Sequence, residues 1–155
     1  MNTSVLRIKT LSSQKTKNFA KILAEKILAE LPQISSALIL ALTGDLGSGK
    51  TTFIQGFCKG AGIKKRITSP TFVIVKSYKL KVKSYKSIYH IDCYRIQKPK
   101  ELLKLGFKEI INNPQNIVLI EWAEKLKKIL PKKINWIRFE YGKKLNERKI
   151  IVKLP

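Results

Sequence analysis

Two segments, residues 38–42 and 116–120, consist almost entirely of apolar residues. Such runs are typical of strands that are buried on both faces of a sheet. Further segments of alternating or mixed apolar character predict five more strands, at residues 5–9, 72–78, 87–91, 134–141 and 148–154. The last two of these segments predict a hairpin that closes the chain.

Apolar residues at helical spacing occur between the predicted strands. The first predicted helix has Ser12 or Ser13 as its cap, Pro32 at its end, and an apolar face made of Phe19, Leu23, Ile27 and Leu31. Other helices are predicted at residues 51–60, 99–105, 107–111 and 123–130. Strands that alternate with helices indicate a three-layer α/β domain, with a mixed, mainly parallel central sheet flanked by helices. The 155 residues fit one such domain, residues 1–155.

The composition excludes several classes of protein. A hydrophobic fraction of 44% is too high for a disordered chain. The longest apolar run covers only residues 37–42, whereas a membrane-spanning helix needs about 20 apolar residues. The first ten residues lack the apolar core of a signal peptide, and two cysteines make no disulfide framework. We therefore expect a cytoplasmic protein without a membrane partner.

The charge of the chain is unusual. Lysine and arginine total 32 and acidic residues total 10, which gives a formal net charge of +22. A basic surface gains affinity for nucleic acids by releasing counterions from phosphate backbones. A bias toward lysine codons explains the excess equally well, because only 5 of the 32 basic residues are arginine. The scarcity of acids makes each acidic residue beside apolar residues conspicuous.

Residues 44–51, GDLGSGKT, match the complete P-loop pattern G-x-x-x-x-G-K-[ST]. The motif follows a predicted buried strand and opens a predicted helix, as a phosphate-binding loop must. Glycines let the backbone approach phosphates, and the loop amides point at anionic oxygens near the helix N-terminus. Lys50 adds a full charge at the β- and γ-phosphates, and the hydroxyl of Thr51 is available to Mg²⁺. The motif predicts a P-loop NTPase-like domain that binds the phosphates of a nucleotide together with Mg²⁺.

Two acidic residues follow predicted strands. Glu121 ends the apolar run at residues 117–120, and Asp92 ends the run at 88–91. Ligands of open α/β sheets bind at the carboxyl ends of strands. We interpret Glu121 as the metal-side acid, because the run before it is the more apolar, and Asp92 as the group that positions or deprotonates the attacking water.

Nearby residues are weaker candidates. His90 is the single histidine of the chain and is more typical of a structural residue than of a catalyst. Cys93 is interpreted as a small buried hydrophobic residue, and Trp122 as a residue near the rim of the site. Arg95 is either an internal arginine finger or part of a surface salt bridge.

Four motifs in this order resemble the bacterial TsaE (YjeE) family: GDLGSGKTT at residues 44–52, SPTF at 69–72, YHIDCYR at 89–95, and EW at 121–122. The resemblance extends from about Ser12 to Arg148. It implies a P-loop ATPase of tRNA threonylcarbamoyladenosine biosynthesis, which docks on the threonylcarbamoyl-transferase and its dimerisation partner. The tRNA itself is a further possible component of that complex.

The resemblance also implies roles for individual residues. Lys50, Asp92 and Glu121 carry catalysis, Thr51 and Glu121 serve the metal, and residues 69–71 form a switch segment. The residues that bind the nucleotide are Asp45, Leu46, Gly47, Ser48, Gly49, Lys50, Thr51 and Thr52, with Ser13 and Arg148 at its flanks. Departures from the family pattern are Ala123 in place of proline, Cys93 in place of an aliphatic residue, and a strongly basic segment at 79–86.

Two other functions remain open on the sequence alone. A small nucleoside or nucleotide kinase also uses a P-loop, although five arginines leave little for an arginine-bearing lid. A basic RNA-binding module with a vestigial P-loop is the other, although no aromatic-rich RNA motif is present. The lysines of residues 79–86, together with Lys64, Lys65 and Arg66, predict a surface that assists docking on an acidic partner or nearby tRNA.

Overall fold

Seven strands form one mixed sheet in the computed structural model, which describes residues 4–30, 34–70 and 72–155. In chain order the strands are β1 Val5–Thr10, β2 Leu38–Thr43, β3 Val75–Lys79, β4 Ser87–Asp92, β5 Asn116–Glu121, β6 Asn135–Tyr141 and β7 Arg148–Lys153. Their order across the sheet is β1-β7-β6-β2-β5-β4-β3. The four adjacent strands β6, β2, β5 and β4 pair in parallel, and the outer pairings are antiparallel. The predicted α/β fold with a mixed sheet is confirmed.

Helices cover both faces of this sheet. They are α1 Ser13–Glu30, α2 Lys50–Gly60, α3 Lys100–Leu103 and α4 Phe107–Asn112, with a 3₁₀ helix at Ala123–Leu126. The first two helices pack on one face, where Leu40 and Leu119 belong to their core. The others pack on the opposite face with Ile39 and Val118. Neighbouring residues of one strand thus serve two cores, which explains the continuous apolar runs.

The structure defines the start of the first helix and shifts the start of one predicted strand. The amide of Lys15 donates to Ser12 Oγ at 3.1 Å, so Ser12 is the capping residue of α1. The predicted end of that helix, Leu31 and Pro32, lies outside the described residues. The strand predicted at 72–78 begins only at Val75, because Ile74 has a left-handed backbone with φ 65°.

The predicted helix at residues 123–130 is wrong in its length. Only Ala123–Leu126 is helical, as one 3₁₀ turn. The amides of Ile129 and Leu130 both donate to the carbonyl of Leu126, at 2.9 and 3.0 Å, which is a pattern of successive turns. Apolar spacing alone does not distinguish such turns from a helix.

Helices α1 and α2 approach each other at two glycines. A Cβ on Gly56 would overlap the backbone of Lys17, and one on Gly60 would overlap the backbone of Lys21. The spacing of four residues places both glycines on one face of α2, so α1 can lie directly against its backbone. This contact fixes the position of the P-loop helix.

No helix among the described residues has both the length and the apolar character that crossing a membrane requires.

We predict that Gly56→Ala destabilises the fold by about 1–3 kcal/mol, because overpacking against rigid backbone outweighs the gain of about 1 kcal/mol in helix propensity. Thermal or urea unfolding measures the effect. Lys59→Ala, at an exposed position of the same helix, serves as the control and should change stability by less than about 0.5 kcal/mol. A Gly56→Ala variant as stable as the unaltered chain would show that the close contact is not required.

Candidate active site

Parallel pairing of β4 with β5 places the two predicted acids side by side. Asp92 is the register partner of Glu121, and both are the last residues of their strands. Each carboxylate lies on the sheet face that α1 and α2 cover, since the residues two positions earlier, His90 and Leu119, are on that face too. Both acids are buried, with 5% and 3% of their surfaces exposed.

The loop between β2 and α2 has the backbone shape of a phosphate cradle. Gly44 has φ 139°, and a Cβ there would lie 2.5 Å from the carbonyl oxygen of Phe139. Gly49, immediately before α2, has φ 105°. Other residues rarely adopt such angles, so both glycines are required by this shape. The glycine-rich loop thus lies between a buried strand and a helix N-terminus, as the sequence predicted for it.

Lys50 folds back over the loop. Its Nζ donates to the carbonyl oxygens of Gly44 and Asp45 at 2.6 and 2.9 Å, and lies 4.1 Å from the ring centroid of Trp122. Burial lowers the pKa of Lys50 below its usual range, and the negative charge of Glu121 partly opposes this shift. The loop carbonyls and the indole face thus hold the ammonium group against the loop.

Thr51, Glu121 and His90 form a chain of hydrogen bonds. The hydroxyl of Thr51 donates to the Glu121 carboxylate, 3.0 and 2.9 Å from its two oxygens. His90 Nε2 lies 2.8 Å from Glu121 Oε1, and the imidazole is fully buried. His90 therefore orients the carboxylate, a structural role in contact with the site.

Asp92, the second acid, is hydrogen-bonded to the predicted switch segment. Ser69 Oγ donates to Asp92 Oδ2 at 2.6 Å, and the amide of Tyr94 donates to Oδ1 at 2.9 Å. The amide of Asp92 donates to the carbonyl of Ile74, the β-branched residue with positive φ. Such backbone strain costs about 1–3 kcal/mol and concentrates at functional sites. Thr71, in the middle of the predicted switch, lies outside the described residues.

These side chains surround one cavity of about 350 Å³. Its lining residues come from the P-loop, the switch segment and the ends of β4 and β5: Leu46, Gly47, Gly49, Lys50, Thr51, Thr52, Ser69, Asp92, Tyr94, Glu121 and Trp122. The structure thus brings together most of the predicted nucleotide and catalytic residues. Asp45 and Ser48 belong to the same loop without lining the cavity.

The two flanking residues have different positions. Arg148 reaches the loop, where its guanidinium donates to the carbonyl of Gly47 at 3.2 Å and lies 4.7 Å from the ring of Tyr141. Ser13 is exposed at the first position of α1 and does not line this cavity. The structure therefore places only Arg148 beside the loop.

The residues present fit a nucleotide with Mg²⁺. Ser48 Oγ is buried in the loop and has no hydrogen-bond partner among the described residues. A threonine hydroxyl and a carboxylate are oxygen donors of the kind Mg²⁺ prefers, and proteins complete its coordination with phosphates and water. The described residues contain no cluster of three or more acidic, histidine or cysteine side chains that could hold a metal alone. Thr51 and Glu121 would thus hold the ion jointly with the nucleotide.

Sequence reasoning missed two contacts at the rim. The hydroxyl of Tyr141 donates to the carbonyl of Leu46, and Tyr94 packs on Trp122 with ring centroids 5.2 Å apart. Arg95 stacks over Phe72, 4.6 Å from the ring centroid, and forms no salt bridge among the described residues. The sequence spacing gave no signal for the contact of Tyr141. The place of Tyr94 near the site could have been predicted, because it lies two residues after Asp92.

Comparison with known proteins gives three concordant findings. The family model described as "Threonylcarbamoyl adenosine biosynthesis protein TsaE" matches residues 10–150. Proteins named "tRNA threonylcarbamoyladenosine biosynthesis protein TsaE" are similar to this chain. The one from Rickettsia typhi is 43% identical over 126 residues, which are 78% of this chain and 77% of the relative. The one from Bacillus subtilis is 37% identical over 126 residues, 81% of this chain and 72% of the relative.

A solved structure supports the same assignment. The crystal structure of Bacillus subtilis YdiB matches with a TM-score of 0.71 at 29% sequence identity, and the match covers 99% of this chain and 88% of that one. The match of the family model over most of the chain, together with relatives well above 30% identity, shows that the chain belongs to the TsaE family.

Proposed function

We propose that this TsaE family member is a Mg²⁺-dependent ATPase that acts in tRNA threonylcarbamoyladenosine biosynthesis. The family itself supports the role in this modification. The observation that carries the ATPase proposal is the cavity in which the P-loop residues Lys50 and Thr51 face the buried carboxylates of Glu121 and Asp92. A loop that only capped a helix would need neither acid.

In this proposal different residues bind the nucleotide and catalyse its hydrolysis. The loop amides and the ammonium group of Lys50 hold the phosphates and compensate the charge that develops during phosphoryl transfer. Thr51 and Glu121 hold Mg²⁺, and that ion would neutralise charge on the phosphate oxygens when bound. Asp92 orients the attacking water and accepts its proton.

Ser69 regulates the availability of Asp92 in this proposal. Its hydroxyl donates to Asp92 Oδ2 at 2.6 Å and takes up an acceptor position that a water molecule could use. Movement of the switch segment exchanges the serine hydroxyl for water at that oxygen. The carbonyl of Ile74 accepts a hydrogen bond from the Asp92 amide, and the backbone of Ile74 is strained. A second conformation of this segment would relieve that strain.

The mouth of the site supports docking on the transferase and its dimerisation partner. Leu46, which lines the cavity, is 68% exposed, and Phe72 and Val73, which follow the predicted switch segment in the chain, are 85% and 58% exposed. Apolar groups gathered around an active site typically mark a protein interface. A partner that covers them would also exclude water from the cavity and act on the switch segment directly.

We predict that Lys50→Ala lowers the ATP turnover rate by about 100- to 1,000-fold, because the loop loses its full charge at the transferring phosphate. Steady-state phosphate release measures the rate. Lys108→Ala removes an exposed lysine of α4, outside both cavities, and should leave the rate unchanged. Wild-type turnover in the Lys50→Ala variant would remove the ATPase proposal.

Asp92→Asn should keep ATP affinity within about threefold and lower hydrolysis by about 100-fold or more, because asparagine cannot accept the proton. Calorimetric binding of a non-hydrolysable ATP analogue is compared with phosphate release. Ser69→Ala serves for comparison, since it removes one hydrogen-bond partner of Asp92 and leaves the proton-accepting carboxylate in place. If binding and hydrolysis fall together in Asp92→Asn, Asp92 is a binding or structural residue.

Glu121→Gln should raise the Mg²⁺ concentration required for half-maximal activity by about 10- to 100-fold, because a neutral amide replaces a charged oxygen donor. A Mg²⁺ titration of ATP turnover measures this shift. The thermal unfolding midpoint serves as the control for folding, since glutamine retains hydrogen bonding to Thr51 and His90. An unchanged titration would transfer the metal role to Asp92.

A further inference from the structure

A second cavity of about 750 Å³ lies between α1, the end of α2 and residues 62–67. It is separate from the ATP site, and its lining contains no acidic residue. Six of its lining residues are cations: Lys17, Lys21, Lys59, Lys64, Lys65 and Arg66. We name it the α1–α2 cleft.

The fold itself brings these cations together. Gly56 and Gly60 let the backbones of Lys17 and Lys21 lie against α2, so the lysines of α1 share the cleft with Lys59. Like charges at close range repel, and a fold that needed only a tight helix contact would be more stable with acidic or neutral residues there. The arrangement therefore indicates an anionic ligand.

Little within the protein neutralises this charge. Among the described residues, the ion pair that involves a cleft cation joins Lys21 to Glu25 at 3.6 Å, and both side chains are about half exposed. An exposed pair of this kind contributes about 1 kcal/mol or less. The other five cations have no acidic side chain within ion-pair distance in the part of the chain that the structure describes.

The remaining lining favours an RNA backbone over a protein. Carboxamide groups of Gln14, Asn18 and Gln55 stand among the lysines, and they bind phosphate and ribose oxygens well. Protein interfaces have an apolar, aromatic-rich core, whereas Ile63 and Ile67 are the large apolar residues of this lining. The lining also lacks an aromatic ring on which a base could stack.

We propose that the α1–α2 cleft binds the phosphodiester backbone of tRNA, without reading its sequence. The proposal rests on the role of the family in tRNA modification and does not depend on ATP hydrolysis. Lys64, Lys65 and Arg66, which the sequence predicted as part of a docking surface, belong to this cleft. The two sites are linked structurally, because α2 begins at the P-loop and Gln55 Nε2 donates at 3.1 Å to the carbonyl of Ile67, two residues before Ser69.

The test measures binding of an unmodified tRNA transcript to the full chain by fluorescence anisotropy at several salt concentrations. The cleft variant carries Lys17→Gln, Lys21→Gln, Lys59→Gln and Lys64→Gln. The matched control carries Lys100→Gln, Lys108→Gln, Lys128→Gln and Lys133→Gln, all exposed positions outside the cleft. The two variants have the same net charge, and their thermal unfolding midpoints show whether both are folded.

We expect the cleft variant to lose affinity at least about tenfold more than the control at physiological salt, and its salt-dependence slope to fall by about 2–4, near 1 per phosphate contact. Lys50→Ala should keep its tRNA affinity, so failure of the ATPase proposal would not affect this one. Equal losses in both variants would overturn the proposal in favour of net charge. Equally tight, cleft-dependent binding of poly-L-glutamate would overturn it in favour of an acidic protein.

Discussion

The register between β4 and β5 is the constraint on which the site depends. It places Asp92 directly beside Glu121, both buried, at the strand ends that face the P-loop helix. Two adjacent carboxylates repel each other, and burial raises the cost of their charge. The fold compensates each one separately, Asp92 through Ser69 and the Tyr94 amide, and Glu121 through Thr51 and His90. Slipping the register by one residue would place the acids on opposite faces.

Backbone strain lies next to each of these acids. Two residues other than glycine have positive φ in the described part of the chain: Ile74, bonded to the amide of Asp92, and Trp122, directly after Glu121. The Trp122 turn brings its indole over the Lys50 ammonium at 4.1 Å. The Ile74 turn makes β3 begin only at Val75, so residues 72–74 lie outside the sheet. The strain therefore positions a side chain at one acid and keeps the segment beside the other acid out of the sheet.

The sequence predicted most of this arrangement because its signals are local. The P-loop, the apolar runs and an acid at the end of each run require only neighbouring residues. The role of His90 was not predictable in the same way, because its contact with Glu121 joins two strands 31 residues apart. The same limit applies to Tyr141, whose hydroxyl reaches a loop 95 residues earlier. The 3₁₀ turn after Trp122 was missed because apolar spacing does not reveal hydrogen-bond pattern.

Helix α2 contributes residues to both cavities, the one with the buried carboxylates and the basic α1–α2 cleft. At its N-terminus two buried carboxylates face the loop, whereas Gly56 and Gly60 farther along the helix bring lysines from α1 into one cleft. The same glycines that fix the P-loop helix against α1 create the basic cleft. A displacement of α2 would alter the phosphate cradle and the spacing of the cleft cations together. The helix contact thus joins the loop end of α2 to the basic cleft by packing, and the Gln55–Ile67 hydrogen bond connects α2 to the segment before Ser69.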